Sequence, residues 1–552
     1  MRMMRGFVYF LLALAAALTG FALTTGPSWL LWPASVSLGF GLLGVRDMTQ
    51  IRHSVMRNYP IFSHMRWIFE GLRPEFRQYF FESDLSGTPF NREQRSLVYQ
   101  RAKNVEDNKP FGTEKDVYES HYSWVNHSAS PRPVQQKQFR VMVGGKSCKA
   151  PYSLSVFNVS AMSFGALSGN AIEALNKGAK EGGFAHDTGE GSISRYHRKH
   201  GGDLIWEIGS GYFGCRRDDG SFDPDMYASQ AASDQVKMIE IKLSQGAKPG
   251  HGGVLPGSKV SEEIAEARHV PVGQDCISPA RHSAFSTPVE LMQFIDRLRE
   301  LSGGKPVGFK LCVGHYWEFA AMVKAMLKTG ICPDFIVVDG SEGGTGAAPL
   351  EFSNHMGTPL REGLFFVHNL IYGAGLRGQI KLGASGKIVS AFDMVRNMAI
   401  GADWCNSARG FMFSIGCIQS QVCHTNRCPV GVATQDKNRS QALVVEDKWR
   451  RVANFHRNTM RALAEFVAAS GFDHPKDLRP WHFYRRTGSA HTRPGHLLHE
   501  FLDHGEILEG TVKEPWATAW ALADPDQFRP HDIHHRELCP PYSLQGGQES
   551  SK

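Results

Sequence analysis

The sequence predicts an α/β protein, a (β/α)8 TIM barrel with an N-terminal two-helix transmembrane hairpin and a C-terminal helical extension. Three patterns predict it. Beyond residue 150, eight short runs rich in β-branched and aromatic residues alternate with stretches of helical periodicity, the signature of βα units closing into a parallel barrel. Ahead of residue 46 stand two uncharged apolar stretches, and beyond residue 441 lies one long amphipathic segment. The expected division is a hairpin over 1–46, a connector wrapping the barrel over 47–149, the barrel with its cysteine-bearing segment over 150–440, and a helix with a surface tail over 441–552.

The hairpin is read from residues 6–23 and 29–45, which carry no charge and are separated only by Thr24-Thr-Gly-Pro-Ser28. Each approaches the roughly 20 residues needed to span hydrocarbon. Arg2 and Arg5 precede the first stretch, and Arg46, Arg52 and Arg57 follow the second. That bias places both ends in the cytoplasm and the barrel on the cytoplasmic side of the inner membrane. A cleaved signal peptide is the competing reading. It would export the barrel and expose its cysteines to oxidation, whereas the ten cysteines in 552 residues, mostly isolated in apolar runs, look like reduced thiols. The net charge of +7 is spread without a basic block and no nucleic-acid-binding signature is present, which argues against a nucleic-acid partner.

The connector is polar and dotted with aromatics, with Pro60, Pro74 and Pro89 and with Arg73, Arg77 and Arg92 near aromatic residues; a segment that wraps another body fits this better than one that folds alone. The candidate barrel strands are 154–159, 184–186, 236–243, 275–278, 307–313, 334–339, 379–382 and 402–406. Between them, Pro288–Leu301 places Val289, Leu291, Met292, Phe294, Ile295, Leu298 and Leu301 at helical spacing. A doubly wound open sheet competes, but no Gly-x-Gly-x-x-Gly follows the first strand. After the barrel, Val452, Phe455, Met460, Leu463, Phe466 and Val467 define one face of a helix closed by Gly471. The tail beyond about residue 490, including His531, His534 and His535, reads as a solvated surface.

Chemistry gathers at the predicted C-terminal strand ends. The seventh strand runs into Gly383-Ala-Ser-Gly-Lys387 and the eighth into Asn406-Ser-Ala-Arg-Gly410. Glycine turns before helix starts let backbone N–H groups approach an anion. Two such turns in consecutive final strands predict a phosphate site for FMN, with Gly383, Ser385, Gly386, Ser407 and Arg409 as its residues; ordinary glycine turns are the plain alternative. Cys417, Cys423 and Cys428 follow closely, the last before a proline. Three clustered thiolates of this kind hold iron–sulfur clusters, and three rather than four ligands favour a [3Fe-4S] cluster. A structural zinc site and unligated core thiols compete; zinc wants a fourth ligand, and His424 lies too close to Cys423 to serve.

Several further motifs make the chain resemble the FMN-binding synthase domain of the glutamate synthase family: Met162-Ser-Phe-Gly165, Thr188-Gly-Glu-Gly191, Gly209-Ser-Gly-Tyr-Phe-Gly214, Gln245-Gly-Ala-Lys-Pro-Gly-His-Gly-Gly-Val-Leu-Pro-Gly257, Ile277-Ser-Pro279, Gly343-Gly-Thr-Gly-Ala347 and the segment 417–434. They occur in the family's order over about residues 150–480. The resemblance implies that Gln245 and Lys248 bind 2-oxoglutarate with Arg268, and Ser286 less securely because the spacing before it is one residue short. It also implies Glu190 near the reacting carbon, Lys310 beside the flavin ring, Met162 and Ser163 along the flavin's face, and the three cysteines as [3Fe-4S] ligands. His251 stands where the family often has an acid and is read as solvated or structural.

The implied reaction is reductive amination: ammonia adds to the keto carbon of 2-oxoglutarate, water leaves, and reduced FMN delivers a hydride. Lys248 and Arg268 suit two carboxylates. Departures from the family matter as well. The family's glutamine-hydrolysing domain begins with an amino-terminal cysteine, whereas this chain begins Met1-Arg-Met-Met, and it shows neither the family's glycine-repeat β-helix nor a dinucleotide fingerprint. The expected partners are therefore 2-oxoglutarate, an amine donor from outside the chain, and an external electron donor, ferredoxin-like or a reductase subunit. A membrane-linked amino-acid dehydrogenase of the same fold and an electron-transfer or assembly subunit are the competing functions.

Overall fold

The computed structural model describes residues 2–134 and 138–530; the histidines at 531, 534 and 535 lie outside the described residues. The chain falls into two compact units, Met1–Arg92 and Glu93–Lys552.

In the first unit, helices α1 (Arg2–Thr24) and α2 (Leu31–Thr49) pack along each other. Their close approach is set by small residues on the buried side of α2: Ala34, Ser37, Gly41 and Gly44. A Cβ at Gly41 would fall 2.5 Å from Leu12, and one at Gly44 2.5 Å from Val8, the small-residue seam by which apolar helices approach one another. Phe10, Trp32, Phe40 and Leu42 face outward. The stretches Met3–Thr24 and Ser28–Thr49 are long and apolar enough to cross a membrane, and they leave most of their surface exposed, unlike the core helix of a soluble protein. Helix α3 (Ser63–Phe76) follows and continues into a π turn, Arg77–Phe81. The buried Asp47 carboxylate accepts the Ile61 N–H at 2.9 Å and contacts His64 Nε2 at 2.9 Å, tying the start of α3 to the end of α2. Residues 47–92 of the expected connector thus fold with the first unit.

The rest of the connector belongs to the second. Ser123–Val125 pairs antiparallel with Phe483–Arg486, which pairs with Thr492–Pro494, while Arg140–Val143 pairs with Tyr152–Ser155. The barrel itself is closed and all parallel: β1 (Phe157–Val159), β2 (His186–Asp187), β3 (Leu204–Ile208), β4 (Val236–Lys242), β5 (Val307–Leu311), β6 (Phe335–Asp339), β7 (Lys381–Ser385) and β8 (Trp404–Ser407). Ser407 stands opposite Val159 and closes the ring.

Seven of the eight expected runs are barrel strands. The run at 275–278 is not: Cys276–Ile277 pairs antiparallel with Val254–Leu255 in the long excursion between β4 and β5. The third strand is instead Leu204–Ile208, whose buried Glu207 makes it look unlike a core strand until its partner, Lys310, is seen. Two expected turns also begin inside strands, since Gly383 and Ser385 belong to β7 and Ser407 to β8. A Cβ at Gly383 would fall 2.6 Å from the buried Trp404 ring, so this glycine lets the last strands pack.

Pro288–Leu301 is helical over the expected span, opened by Thr287 and Glu290 in a reciprocal capping box. The C-terminal helix, Val445–Ala469, buries Val452, Phe455, Met460, Leu463 and Val467 as expected. Phe466 is 38% exposed and lies off that face, where Thr459 and His456 are buried instead. His456 stacks on Phe184 at 4.0 Å, which accounts for a polar residue on the buried side.

Candidate active site

Two charged layers fill the barrel near its C-terminal mouth. The lower one surrounds Lys310, in the middle of β5. Its ammonium contacts Glu207 of β3 directly, Glu240 of β4 at 3.1 Å and Asp187 of β2 at 3.9 Å, all four side chains buried. Burial would strip the lysine of its proton, but Glu207, Glu240 and Asp187 outweigh burial and hold its pKa well above the usual value. Burial and neighbouring negative charge push the acids the other way. Glu240 rises to about 7, and Asp187 rises well above the carboxylate range through burial and then Glu240. Asp187, Glu207 and Glu240 are the trio of carboxylates that lie within 4.8 Å of one another, and Lys310 supplies the cation among them.

The upper layer inverts these signs. Lys242 lies two residues beyond Glu240 on β4, one step nearer the mouth, and binds Glu190 Oε2 at 3.1 Å. Glu190 sits just past β2. Burial alone would raise its pKa, but Lys242, Arg268 and Lys248 hold it below the usual range. Glycines make room for its carboxylate: a Cβ at Gly253 would fall 2.3 Å from Oε1, and one at Gly209 2.9 Å from Oε2. Lys248 is buried and donates to Gly252 O at 3.0 Å, and burial lowers its pKa against the pull of Glu190. Arg268 is 4% exposed, donates to Phe164 O at 2.9 Å and lies over the Phe213 ring at 5.1 Å; its Nε has no hydrogen-bond partner. His282, held neutral by burial with its pKa near 4, contacts the Lys242 carbonyl at 2.9 Å and the Tyr212 hydroxyl at 3.1 Å, steadying the end of β4.

Glu190, Lys248 and Arg268 are therefore brought together, as the family resemblance implied, and Gln245 opens the same loop as Lys248, half-buried. Ser286 is placed elsewhere: exposed, it donates to Glu290 Oε2 at 2.8 Å at the start of the helix Pro288–Leu301. Lys310 lies below this group, within the carboxylate layer. His251 is exposed, which fits the solvated reading. Lys242, Asp187, Glu207 and Glu240 were missed by sequence reasoning. Their signal is a charged residue inside or ending an apolar strand.

On the other side of the mouth, β1, β7 and β8 converge. Ser160 and Ser385 hydroxyls meet at 3.2 Å, and Ser407 donates to Ile388 O at 2.5 Å. Gly386 adopts a φ of +155° that a side chain would strain. Met162 is buried beside half-buried Ser163, and Gly189 packs against that backbone, where a Cβ would fall 2.6 Å from Ser163 N. Lys387 and Arg409 stand close here; after burial, Arg409 is the main influence lowering the Lys387 pKa. Two buried-side cations beside a glycine turn suit an anion, so the residues fit a flavin phosphate.

Arg409 also faces the cysteine loop. Burial lowers its pKa, while Cys423, Asp339 and Cys417 raise it. Its guanidinium lies where a side chain at Gly344 would stand, and a Cβ at Gly346 would be 3.8 Å from Cys423. The Gly343–Ala347 stretch thus runs between the strand-end turns and the thiols. Cys417 is pushed to about 12 by burial and then by Cys423 and Cys428, and Cys423 is raised by burial and Cys428. The three thiols lie near enough to influence one another, and a sulfur-only set of three donors on one loop is of the type that iron–sulfur clusters take. Tyr99 donates to Cys417 O at 2.6 Å and Lys259 to Cys423 O at 2.9 Å, fixing the loop from outside.

Closed parallel barrels carry their chemistry where the strands end, and this mouth joins a layer rich in cations to a glycine turn flanked by Lys387 and Arg409 and to a thiol loop; its class is that of a barrel oxidoreductase. The pattern described as a conserved region in glutamate synthase matches residues 96–473. The glutamate synthase large subunit-like protein YerD of Bacillus subtilis is 36% identical over 507 residues, covering 84% of this chain and 96% of that protein. The chain belongs to the glutamate synthase family. An archaeal-type glutamate synthase [NADPH] of Thermotoga neapolitana is 33% identical over 62% of this chain, which spans 63% of that enzyme. A ferredoxin-dependent glutamate synthase 2 of Synechocystis is 35% identical over 52% of this chain and 19% of its own length.

Proposed function

We propose that the chain is a glutamate synthase-like flavoenzyme that reductively aminates 2-oxoglutarate to glutamate, with electrons relayed through a [3Fe-4S] cluster on Cys417, Cys423 and Cys428 and the amine supplied from outside. One observation carries this reading: an ionised carboxylate, Glu190, stands among Lys242, Lys248 and Arg268 at the barrel mouth. Three cations around one acid leave an excess of positive charge suited to a dicarboxylate. Lys248 and Arg268 take the two carboxylates of the oxo acid, the guanidinium by its fork, and Gln245 orients the keto end. Glu190 takes a proton from the adding amine at its carboxylate and returns it to the hydroxyl that leaves as water. Lys242 keeps that carboxylate ionised at the start of the cycle. FMN, seated with its phosphate at Gly386, Ser407 and Arg409, would supply the hydride, and Met162 and Ser163 would line its ring.

The names of relatives include NADPH and ferredoxin as electron sources; for this chain the donor is read as a separate ferredoxin-like protein or reductase subunit. The apolar helices α1 and α2 are read as a membrane hairpin that holds the barrel on the cytoplasmic side.

The test uses detergent-purified, full-length protein reduced without oxygen. Adding 2-oxoglutarate with ammonium, glutamine or methylamine should restore the oxidised flavin band with one of the amines and form glutamate or its N-methyl analogue. Protein lacking both flavin and iron, or a flavin that no mixture reoxidises, would overturn the reading. Glu190→Gln should keep the flavin spectrum and slow this reoxidation by about 10²-fold or more.

A further inference from the structure

We propose that helix α3 and the π turn after it form an in-plane docking surface for the anionic headgroup layer of a lipid bilayer. The proposal rests on the reading of α1 and α2 as a membrane hairpin and adds to it a second, peripheral contact.

The helix is amphipathic. Met65, Ile68, Phe69, Leu72 and Phe76 fall on one face and are all exposed, Phe69 at 61%. The next face carries Arg66, Glu70, Arg73 and Arg77 at four-three-four spacing. The π turn extends the apolar side with Tyr79, Phe80 and Phe81, each more than half exposed. So continuous an unpartnered apolar face marks an interaction site.

The hairpin decides what covers it. Asp47, in the last turn of α2, accepts the Ile61 N–H and contacts His64 Nε2, and the Phe62 ring packs tilted against Phe7 of α1 at 5.5 Å. The start of α3 is therefore fixed at the open end of the hairpin, where both apolar helices finish. If those helices cross a bilayer, this end lies at its surface, level with the headgroups. The charge agrees with such a site: residues 51–81 hold five arginines against two glutamates, and an arginine-rich face beside an aromatic one is the pattern of helices that lie in the interface of anionic membranes. Along the seam, Arg66, Phe69, Glu70, Arg73 and Phe76 line a hollow of about 540 Å³; Glu70 pairs with Arg73 at 3.9 Å, which leaves a net positive charge for a phosphate and two rings for the chain below it.

The experiment reconstitutes the full-length chain in nanodiscs with and without phosphatidylglycerol, using lipids brominated near the headgroup or near the chain ends. Phe69→Trp and, separately, Phe80→Trp add reporters on exposed positions. Trp29 and Trp32, compared with Trp29→Phe/Trp32→Phe, report the hairpin. The inference expects the added fluorescence of both reporters to be quenched most by the shallow bromines, about twofold more with phosphatidylglycerol than without, and to lose that excess on Arg66→Glu/Arg73→Glu/Arg77→Glu. Quenched hairpin tryptophans with unquenched reporters would overturn the surface and leave the anchor standing. Equal quenching in neutral and anionic discs would overturn the anionic preference. Unquenched hairpin tryptophans would overturn both the anchor and the surface built on it.

Discussion

Lys310 and Glu190 sit in charge clusters of opposite composition, a few residues apart along the same barrel strands. Below, one lysine is enclosed by three buried acids; above, one acid is surrounded by two lysines and an arginine. The lower cluster is closed on itself, and burial with mutual repulsion raises the pKa of both Glu240 and Asp187. The upper cluster keeps its acid ionised and has cationic charge left for a ligand. Depth separates the two. In the interior a surplus charge must be cancelled by a proton or a partner, while at the mouth it can await substrate.

The strongest way to break this contrast is Lys310→Met. Three carboxylates would remain buried without their cation, and unfolding in urea should show a loss of about 3–5 kcal/mol. A loss under 1 kcal/mol would mean that the cluster is not electrostatically closed. Arg268→Ala should leave stability nearer wild type but raise KM for 2-oxoglutarate about 10–100-fold, the scale of one or two charged hydrogen bonds. Arg268→Lys should recover only part, because it lacks the fork. An unchanged KM would remove Arg268 from the binding layer.

The acids offer a finer test through pH. Glu240 is raised from 4.5 to about 7 in the folded state, so the folded protein binds this proton more tightly, and its contribution to stability falls as pH rises from about 4.5 to about 7. Glu190, held low, contributes in the opposite sense: its stabilisation is present above the unfolded pKa and is lost as pH falls through the folded one. Glu240→Gln should cost less than about 1 kcal/mol at neutral pH and flatten the decline between 4.5 and 7 in urea titrations. An unaltered slope would assign the proton to Asp187. The smallest effect is expected at Ser286→Ala, about 0.5 kcal/mol from a weakened helix start, with KM for 2-oxoglutarate unchanged; a raised KM would return Ser286 to the binding layer.

Much of the barrel was legible because seven strands announce themselves as short apolar runs between helical stretches and the helix at Pro288 has Thr287 and Glu290 to open it. The third strand was not. Glu207 interrupts Leu204–Ile208, and the lysine that makes it tolerable comes from 103 positions away. Cys276–Ile277 misled for the converse reason: its local pattern is that of a strand, and it is one, but its partner is Val254–Leu255. At the site, Glu190 and Lys248 were readable from motifs, since each belongs to a recognisable local run, whereas Arg268 lies in none of them and came only with the family resemblance. Lys242 stands in no such motif, and its role follows from strand periodicity, which puts it on the same side of β4 as Glu240 and two residues nearer the strand end, where it meets Glu190. A charged residue two places from another on one barrel strand is a cue that reading by motif passes over.

Arg409 has a consequence for how the protein is isolated. One guanidinium experiences the field of Cys417 and Cys423 and bears on Lys387 beside the glycine turn. Any anion seated at that turn and any charge change among the thiols therefore act on the same group, and by linkage each must alter the hold on the other. On the proposed reading, with iron at the thiols and flavin phosphate at the turn, preparations short of iron should come off the column short of yellow colour as well, and adding back either component should improve retention of its companion.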